Sequence, residues 1–128
     1  MFTGIIESVA KISQISKNKG NLDIRFKSSL TNEFKIDQSI SHNGICMTVV
    51  EINNDEYSVT AINETIQKSA IGKWKIGDLI NIERAMKIGD RLDGHMVQAT
   101  STRLLFVQAF QRKMEVGFLN LNIQMKII

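Results

Sequence analysis

The sequence holds a single cysteine, Cys46, so no disulfide framework can staple it and a reducing, cytoplasmic setting is expected. No apolar run approaches the ~18–20 residues that span a bilayer, which argues against a membrane partner. Met1 to Glu7 carries no basic stretch ahead of a long apolar one and is not a secretory signal. There is no Gly-x-Gly-x-x-Gly phosphate loop, no Walker motif and no Gly-x-Ser-x-Gly elbow. Soft metal ligands are scarce: His42, His95 and Cys46 are all there are. His42-Asn43-Gly44-Ile45-Cys46 is not a zinc spacing. On one strand residues 42 and 46 would share a face, but structural zinc takes four ligands, so no metal site is expected. A lone cysteine in a β-branched strand usually serves as a small buried apolar residue.

What remains is an ordinary globular composition, 43% hydrophobic and 23% charged over 128 residues, enough chain for one domain with its own core. The formal net charge of +3 is unevenly placed. Basic and acidic residues balance over residues 1–98, and Arg103, Arg112, Lys113 and Lys126 outweigh Glu115 in residues 99–128. No basic stripe follows a phosphate backbone, so nucleic acid is not an expected partner.

Residues 1–98 are patterned as short strands joined by polar turns. Leu22 to Lys27 alternates apolar and charged, as do Tyr57 to Ala61 and Ile80 to Glu83. Ile45 to Ile52 is nearly continuous and β-branched, which predicts a more deeply buried strand, and Ile5 to Ile15 is long enough for a bent one. Turn signals fall at Asn18-Lys19-Gly20-Asn21, Asn43-Gly44 and Asn53-Asn54-Asp55. Lys-Ile-Gly-Asp occurs at 75–78 and again at 87–90, two turns of like chemistry. A helix is expected over Glu64 to Ile71, with Asn63 as N-cap, Glu64 in the first turn and Gly72 as the stop. Ser29 to Phe34 suits a single helical turn. Strands at this spacing with one or two short helices predict an all-β fold, a sandwich or small barrel, and about six strands favour a barrel because it leaves no edge.

Four stretches then stand in an informative order: Met1-Phe2-Thr3-Gly4-Ile5-Ile6-Glu7, Ser41-His42-Asn43-Gly44-Ile45-Cys46-Met47-Thr48-Val49, Gly77 to Ala85, and Gly89-Asp90-Arg91-Leu92-Asp93-Gly94-His95-Met96-Val97-Gln98. Together, with Glu64-Thr65 after a strand, they closely resemble the N-terminal lumazine-binding domain of riboflavin synthase, alpha-chain type. The resemblance covers residues 1–98.

It implies a six-stranded Greek-key β-barrel that binds 6,7-dimethyl-8-ribityllumazine. In that family two such barrels stand in tandem before a helix that helps form a trimer. The active site lies between unlike barrels of neighbouring subunits, where two lumazines exchange a four-carbon unit to give riboflavin and a pyrimidine. No metal or organic cofactor takes part. The resemblance carries a ligand groove onto Gly4, Ile5 and Ile6; onto Ile45, Cys46, Met47 and Thr48, with Ser41 close by; and onto Thr60, Ala61, Ile62, Asn63, Glu64 and Thr65. Apolar walls such as Ile6 and Ile62 suit a flat heteroaromatic ring, and Thr48, Glu64 and Thr65 suit ribityl hydroxyls. It assigns the catalytic part to Cys46 and Ser41. A Cys46 thiolate adding to the ring, a thiol moving a proton, and a small residue shaping the groove all remain open.

The resemblance ends at Gln98. The family continues Gly-His-Val-Asp, whereas this chain reads Ala99-Thr100-Ser101-Thr102. One nucleotide lost after codon 98 reconciles the two at each of those positions, so residues 99–128 are expected to be a divergent tail, with a frameshift favoured over a lineage-specific replacement of the C-terminal half. In this reading the sixth strand begins at Gly94, Ser101 to Phe106 supplies its continuation, and the barrel closes imperfectly. A chain without the second barrel and trimer helix is expected to be a monomer or dimer. The alternative to an enzyme is a non-catalytic lumazine- or riboflavin-binding module.

Overall fold

A computed structural model describes residues 1–96 in full and the backbone of residues 105–115 and 118–127. Six strands form the barrel: β1 (Ser8–Asn18), β2 (Asn21–Lys27), β3 (Ser39–His42), β4 (Ile45–Asn53), β5 (Glu56–Ala61) and β6 (Leu79–Arg84). Their order is β1-β2-β5-β4-β3-β6, every neighbouring pair is antiparallel, and β6 returns to β1 through Ser8↔Ile82 to Lys11↔Leu79. The barrel is therefore closed within residues 8–84. The sixth strand is Leu79–Arg84, not one starting at Gly94, and the expected imperfect closure is corrected.

The order hides a duplication. β1, β2, a 3-10 turn (Thr31–Glu33) and β3 form one half; β4, β5, a short helix, a 3-10 turn (Ile71–Lys73) and β6 form the other. Exchanging the halves maps each strand pairing onto another. Matching turns lead into β3 and β6. Lys35 N donates to Gln38 Oε1 at 2.9 Å, and Lys75 N donates to Asp78 Oδ2 at 2.8 Å. The second Lys-Ile-Gly-Asp repeats the device, Lys87 N to Asp90 Oδ2 at 2.7 Å, so the tetrapeptide is a turn in both places.

The barrel interior holds Ile12, Ile24, Phe26, Ile40, Val49 and Val59, all fully buried. Each such side chain contributes about 1.5–3 kcal/mol through burial. Phe26 stacks on Tyr57 with ring centroids 5.4 Å apart, and Phe34 meets the same Tyr57 edge-on at 5.0 Å.

Several local expectations shift. β1 starts at Ser8, and residues 1–6 form an arm outside the barrel wall rather than a strand from Ile5. β4 alternates: Ile45, Met47 and Val49 face the core while Cys46, Thr48 and Val50 face out, so it is not buried on both sides. Cys46 is thus exposed rather than a packed core residue. His42 is fully buried on β3, with the tight turn at Asn43-Gly44 between it and Cys46. The two lie on opposite faces and share no site. The helix α1 (Asn63–Lys68) is capped by the backbone of Ile62 rather than by Asn63. It ends at Ser69, because Ser69 Oγ turns back onto Thr65 O at 2.5 Å, and Gly72 belongs to the 3-10 turn that follows.

Two further strands, β7 (Leu105–Glu115) and β8 (Phe118–Ile127), pair antiparallel with each other from Leu105↔Ile127 to Glu115↔Phe118. The expected strand from Ser101 thus begins at Leu105 among the described residues. Val97 to Leu104, including the expected boundary at Gln98, lie outside them. No helix of the described residues is long and apolar enough to cross a membrane.

Candidate functional site

The β4–β5 hairpin pairs regularly from Asn53↔Glu56 to Val49↔Val59, with an irregularity at Val50, and then stops. Beyond that point Thr48 to Ile45 pair only with β3, and Thr60 and Ala61 pair only with β2. The two strands fork. In the duplicated half, β1 and β2 stay zipped together as far as Lys11↔Lys27 before Ser8 to Ala10 go on with β6 alone among the described residues, so the opening between β4 and β5 runs deeper than its counterpart. Strand backbones that leave a ladder present their amide and carbonyl groups to whatever enters the gap.

The expected site residues divide around this fork. Cys46 and Thr48 face outward on one arm, and Thr60, with its hydroxyl donated to Asp23 Oδ1 at 2.7 Å, stands on the other. Ile62 follows, 52% exposed, and α1 carries Asn63, Glu64 and Thr65. Asn63 N donates to Asn21 Oδ1 at 3.1 Å, which fixes the start of the helix to β2. Glu64 pairs with Lys68 one turn on, and this partner holds its carboxyl below the ordinary range. Ile45, Met47 and Ala61 also flank the fork, but their side chains belong to the core. They bring main-chain groups to the gap, not side-chain walls.

Gly4, Ile5 and Ile6 lie on the arm. Met86 N donates to Met1 O at 2.9 Å, Phe2 is buried, and Glu7 N donates to Ile82 O at 3.0 Å. The Arg84 guanidinium grips Glu7 through Nη2–Oε1 at 2.8 Å and Glu33 through Nη1–Oε2 at 2.7 Å. Hydrogen bonding from Arg84 pulls the Glu7 carboxyl below its usual range. Gly4 adopts φ +83°, a left-handed conformation that glycine takes without strain. Ile5 and Ile6 are about half exposed, apolar surface with no partner in the barrel.

The arm meets the fork through a row of residues. Glu83 on β6 pairs with Ser41 on β3, which pairs with Cys46 on β4. Directly opposed residues share a face, so all three stand on the outer wall. Ser41 is buried. Sequence reasoning missed Glu83 as a site residue. Its signal was a charged residue closing the alternation of Ile80 to Glu83, which any solvated strand end would also show.

A cleft of about 820 Å³ opens on the other side of the arm, lined by Thr3, Ile5, Glu7, Glu33, Lys35 and Arg84 among others. None of Cys46, Thr48, Ile62 or Thr65 reaches it. Among its charges of both signs, Arg84 pairs with Glu7 and Glu33, and Arg91 with Asp93. Among the described residues no cluster of His, Cys, Asp and Glu could hold a metal ion.

Comparison with known proteins gives a consistent result. The family model for the lumazine binding domain matches residues 3–85. The riboflavin synthase of Buchnera aphidicola subsp. Schizaphis graminum is 38% identical over 99 residues, covering 76% of this chain and 48% of that protein. The riboflavin synthase of Escherichia coli K12 is 34% identical over 99 residues, covering 76% and 46%. The chain thus spans about half the length of the curated relatives it matches. In three dimensions it is similar to LumP complexed with riboflavin, with TM-score 0.77 and 21% identity over 88% of this chain and 62% of that one. It is also similar to LumP complexed with 6,7-dimethyl-8-(1'-D-ribityl) lumazine, with TM-score 0.74 and 19% identity over 100% and 72%. At that identity the structural likeness speaks for the fold.

Proposed function

Because the chain belongs to the lumazine-binding domain family and is homologous to riboflavin synthase, we propose that its barrel binds 6,7-dimethyl-8-ribityllumazine or riboflavin at the β4–β5 fork. The fork itself carries this reading: main-chain groups of residues 45–48 and 60–61 are released from pairing with each other, a deeper opening than the one between β1 and β2 in the other half of the barrel. A heteroaromatic edge rich in donors and acceptors is a match for such an edge. Ile6 and Ile62 supply apolar contact, and Thr48, Glu64 and Thr65 face the ribityl hydroxyls. Gly4 and Ile5 approach from the arm.

Within this reading Ser41 and Cys46 are the groups the barrel offers to the reaction, the dismutation of two lumazines to riboflavin and a pyrimidine. The outward-facing thiol of Cys46 supports a part in chemistry, addition to the ring or proton movement, over a packing role. The ligand-binding unit is residues 1–98, acting without cofactor in a cytoplasmic monomer or dimer, and residues 99–128 are a divergent tail. Neighbours solved with riboflavin and with the lumazine support the second reading, a binding module without turnover.

Titration of the purified chain with riboflavin and with the lumazine, followed by ligand fluorescence, tests the proposal. Saturable binding is expected, weakened by Thr48→Val. A folded sample that binds neither ligand overturns it. Riboflavin formation in the same sample separates enzyme from binding module.

A further inference from the structure

The outer wall of the barrel contains a carboxylate that neither the core nor any cation among the described residues explains. Glu83 is 5% exposed. Thr3 N donates to its Oε1 at 2.5 Å and Thr3 Oγ1 donates to the same atom at 2.7 Å. Gly4 N is shared between Oε1 at 3.2 Å and Oε2 at 3.1 Å. Every hydrogen bond this side chain makes among the described residues goes to the arm. No cation pairs with it among the described residues: the adjacent Arg84 is occupied by Glu7 and Glu33. A buried carboxylate without a counter-ion is costly, and its donors must be well placed to keep it charged. The arm is already tethered by Met1, Phe2 and Glu7, so Glu83 is not needed merely to keep it attached.

What Glu83 adds is position. It stands opposite Ser41, which stands opposite Cys46, so the arm it grips is anchored at the end of the row that leads to those two groups. From the outside, His95 N donates to Thr3 O at 3.1 Å. We infer that Glu83 is a positioning residue for the ligand site: its carboxylate orders Thr3 and Gly4 so that Ile5 and Ile6 form a preset wall next to Ser41 and Cys46. The inference rests on the binding site proposed above. Ordering the arm in advance removes an entropic cost that ligand binding would otherwise bear.

The test compares the full chain with Glu83→Gln, Thr3→Val and the double variant. Glu83→Gln keeps one acceptor oxygen, loses the second and the charge, and should weaken lumazine or riboflavin affinity about tenfold. Thr3→Val removes only the hydroxyl donor, leaves the barrel untouched, and should weaken affinity about threefold with an unchanged unfolding midpoint. The double variant should bind no more weakly than Glu83→Gln alone, because both changes release the same arm. Amide exchange at Thr3 and Gly4 should speed up in Glu83→Gln while β2 and β5 stay protected. The inference is overturned if either single variant binds as the unaltered chain does, if the two losses multiply, or if exchange at Thr3 and Gly4 is unchanged. Should Glu83→Gln fail to fold, Thr3→Val alone decides. If the unaltered chain binds neither ligand, the proposed function falls instead, and exchange at Thr3 and Gly4 still reports whether Glu83 orders the arm.

Discussion

At the scale of single residues, His42 carries the clearest consequence. Its Nδ1 lies 3.1 Å from the carbonyl of Ile40, which can only accept, so Nδ1 holds the proton and Nε2 accepts from the Tyr57 hydroxyl at 2.8 Å. Burial lowers its pKa from 6.5 to about 4 and raises that of Tyr57. The folded state therefore binds the His42 proton less readily than the unfolded state. That contribution to stability is complete above pH 6.5 and is lost as pH falls toward 4. Denaturant unfolding should show a loss of about 2 kcal/mol between pH 7 and pH 5. His42→Phe should flatten the profile, and a flat profile in the unaltered chain would contradict the assignment. Neither the depth of His42 nor the exposure of Cys46 was legible in the sequence. Both follow from the tight turn at Asn43-Gly44, which sets the facing of two strands that the residue types leave open. Cys46→Ser, nearly equal in volume, should change ligand affinity only modestly.

At the scale of elements, the legible strands were those with contrast along them. Leu22 to Lys27, Tyr57 to Ala61 and Ile80 to Glu83 alternate because one face meets the core and the other lies on the outer wall, and each lies within an observed strand. β3, Ser39-Ile40-Ser41-His42, had no such signal: three of its four residues are polar, and all but Ser39 are buried. The arm was misassigned for a related reason. Ile5 and Ile6 look like strand residues, yet their partner in the proposed site is a ligand rather than a core. Gly94 shows how tightly the arm is held, since a Cβ there would sit 2.7 Å from Thr3 O. Gly94→Ala should push Thr3 away from Glu83, cost about 1 kcal/mol of stability and lower ligand affinity several-fold. A ligand titration beside an unfolding curve checks both. Unchanged affinity would mean that the arm's position does not matter to binding.

At the scale of the whole molecule, the described residues form one closed barrel with one deep fork, between β4 and β5. In the reaction the family resemblance implies, two lumazines must face each other from unlike barrels, and residues 8–84 build only one of these. Holding two reactants in register can supply about 7–11 kcal/mol of a bimolecular barrier in favourable cases. A pair of identical barrels brought together by a two-fold axis would present Cys46 to Cys46 and Ser41 to Ser41, not the unlike groups of two different half-sites. The family resemblance was legible at this scale because its motifs mark the arm, the outer row and the fork at once. The pseudo-symmetry that opens one fork deeper than the other was not, because strand pairing is a long-range property with no local signature. The expected outcome is binding that exceeds turnover: saturable quenching of riboflavin fluorescence by the 128-residue chain, with riboflavin formation from the lumazine near background. Adding an independently folded second barrel from a riboflavin synthase should raise the rate, and Cys46→Ser in this chain should lower it again if the thiol takes part. Turnover that is robust without the second barrel and rises with the square of chain concentration would show instead that two copies of this fork make a sufficient active site.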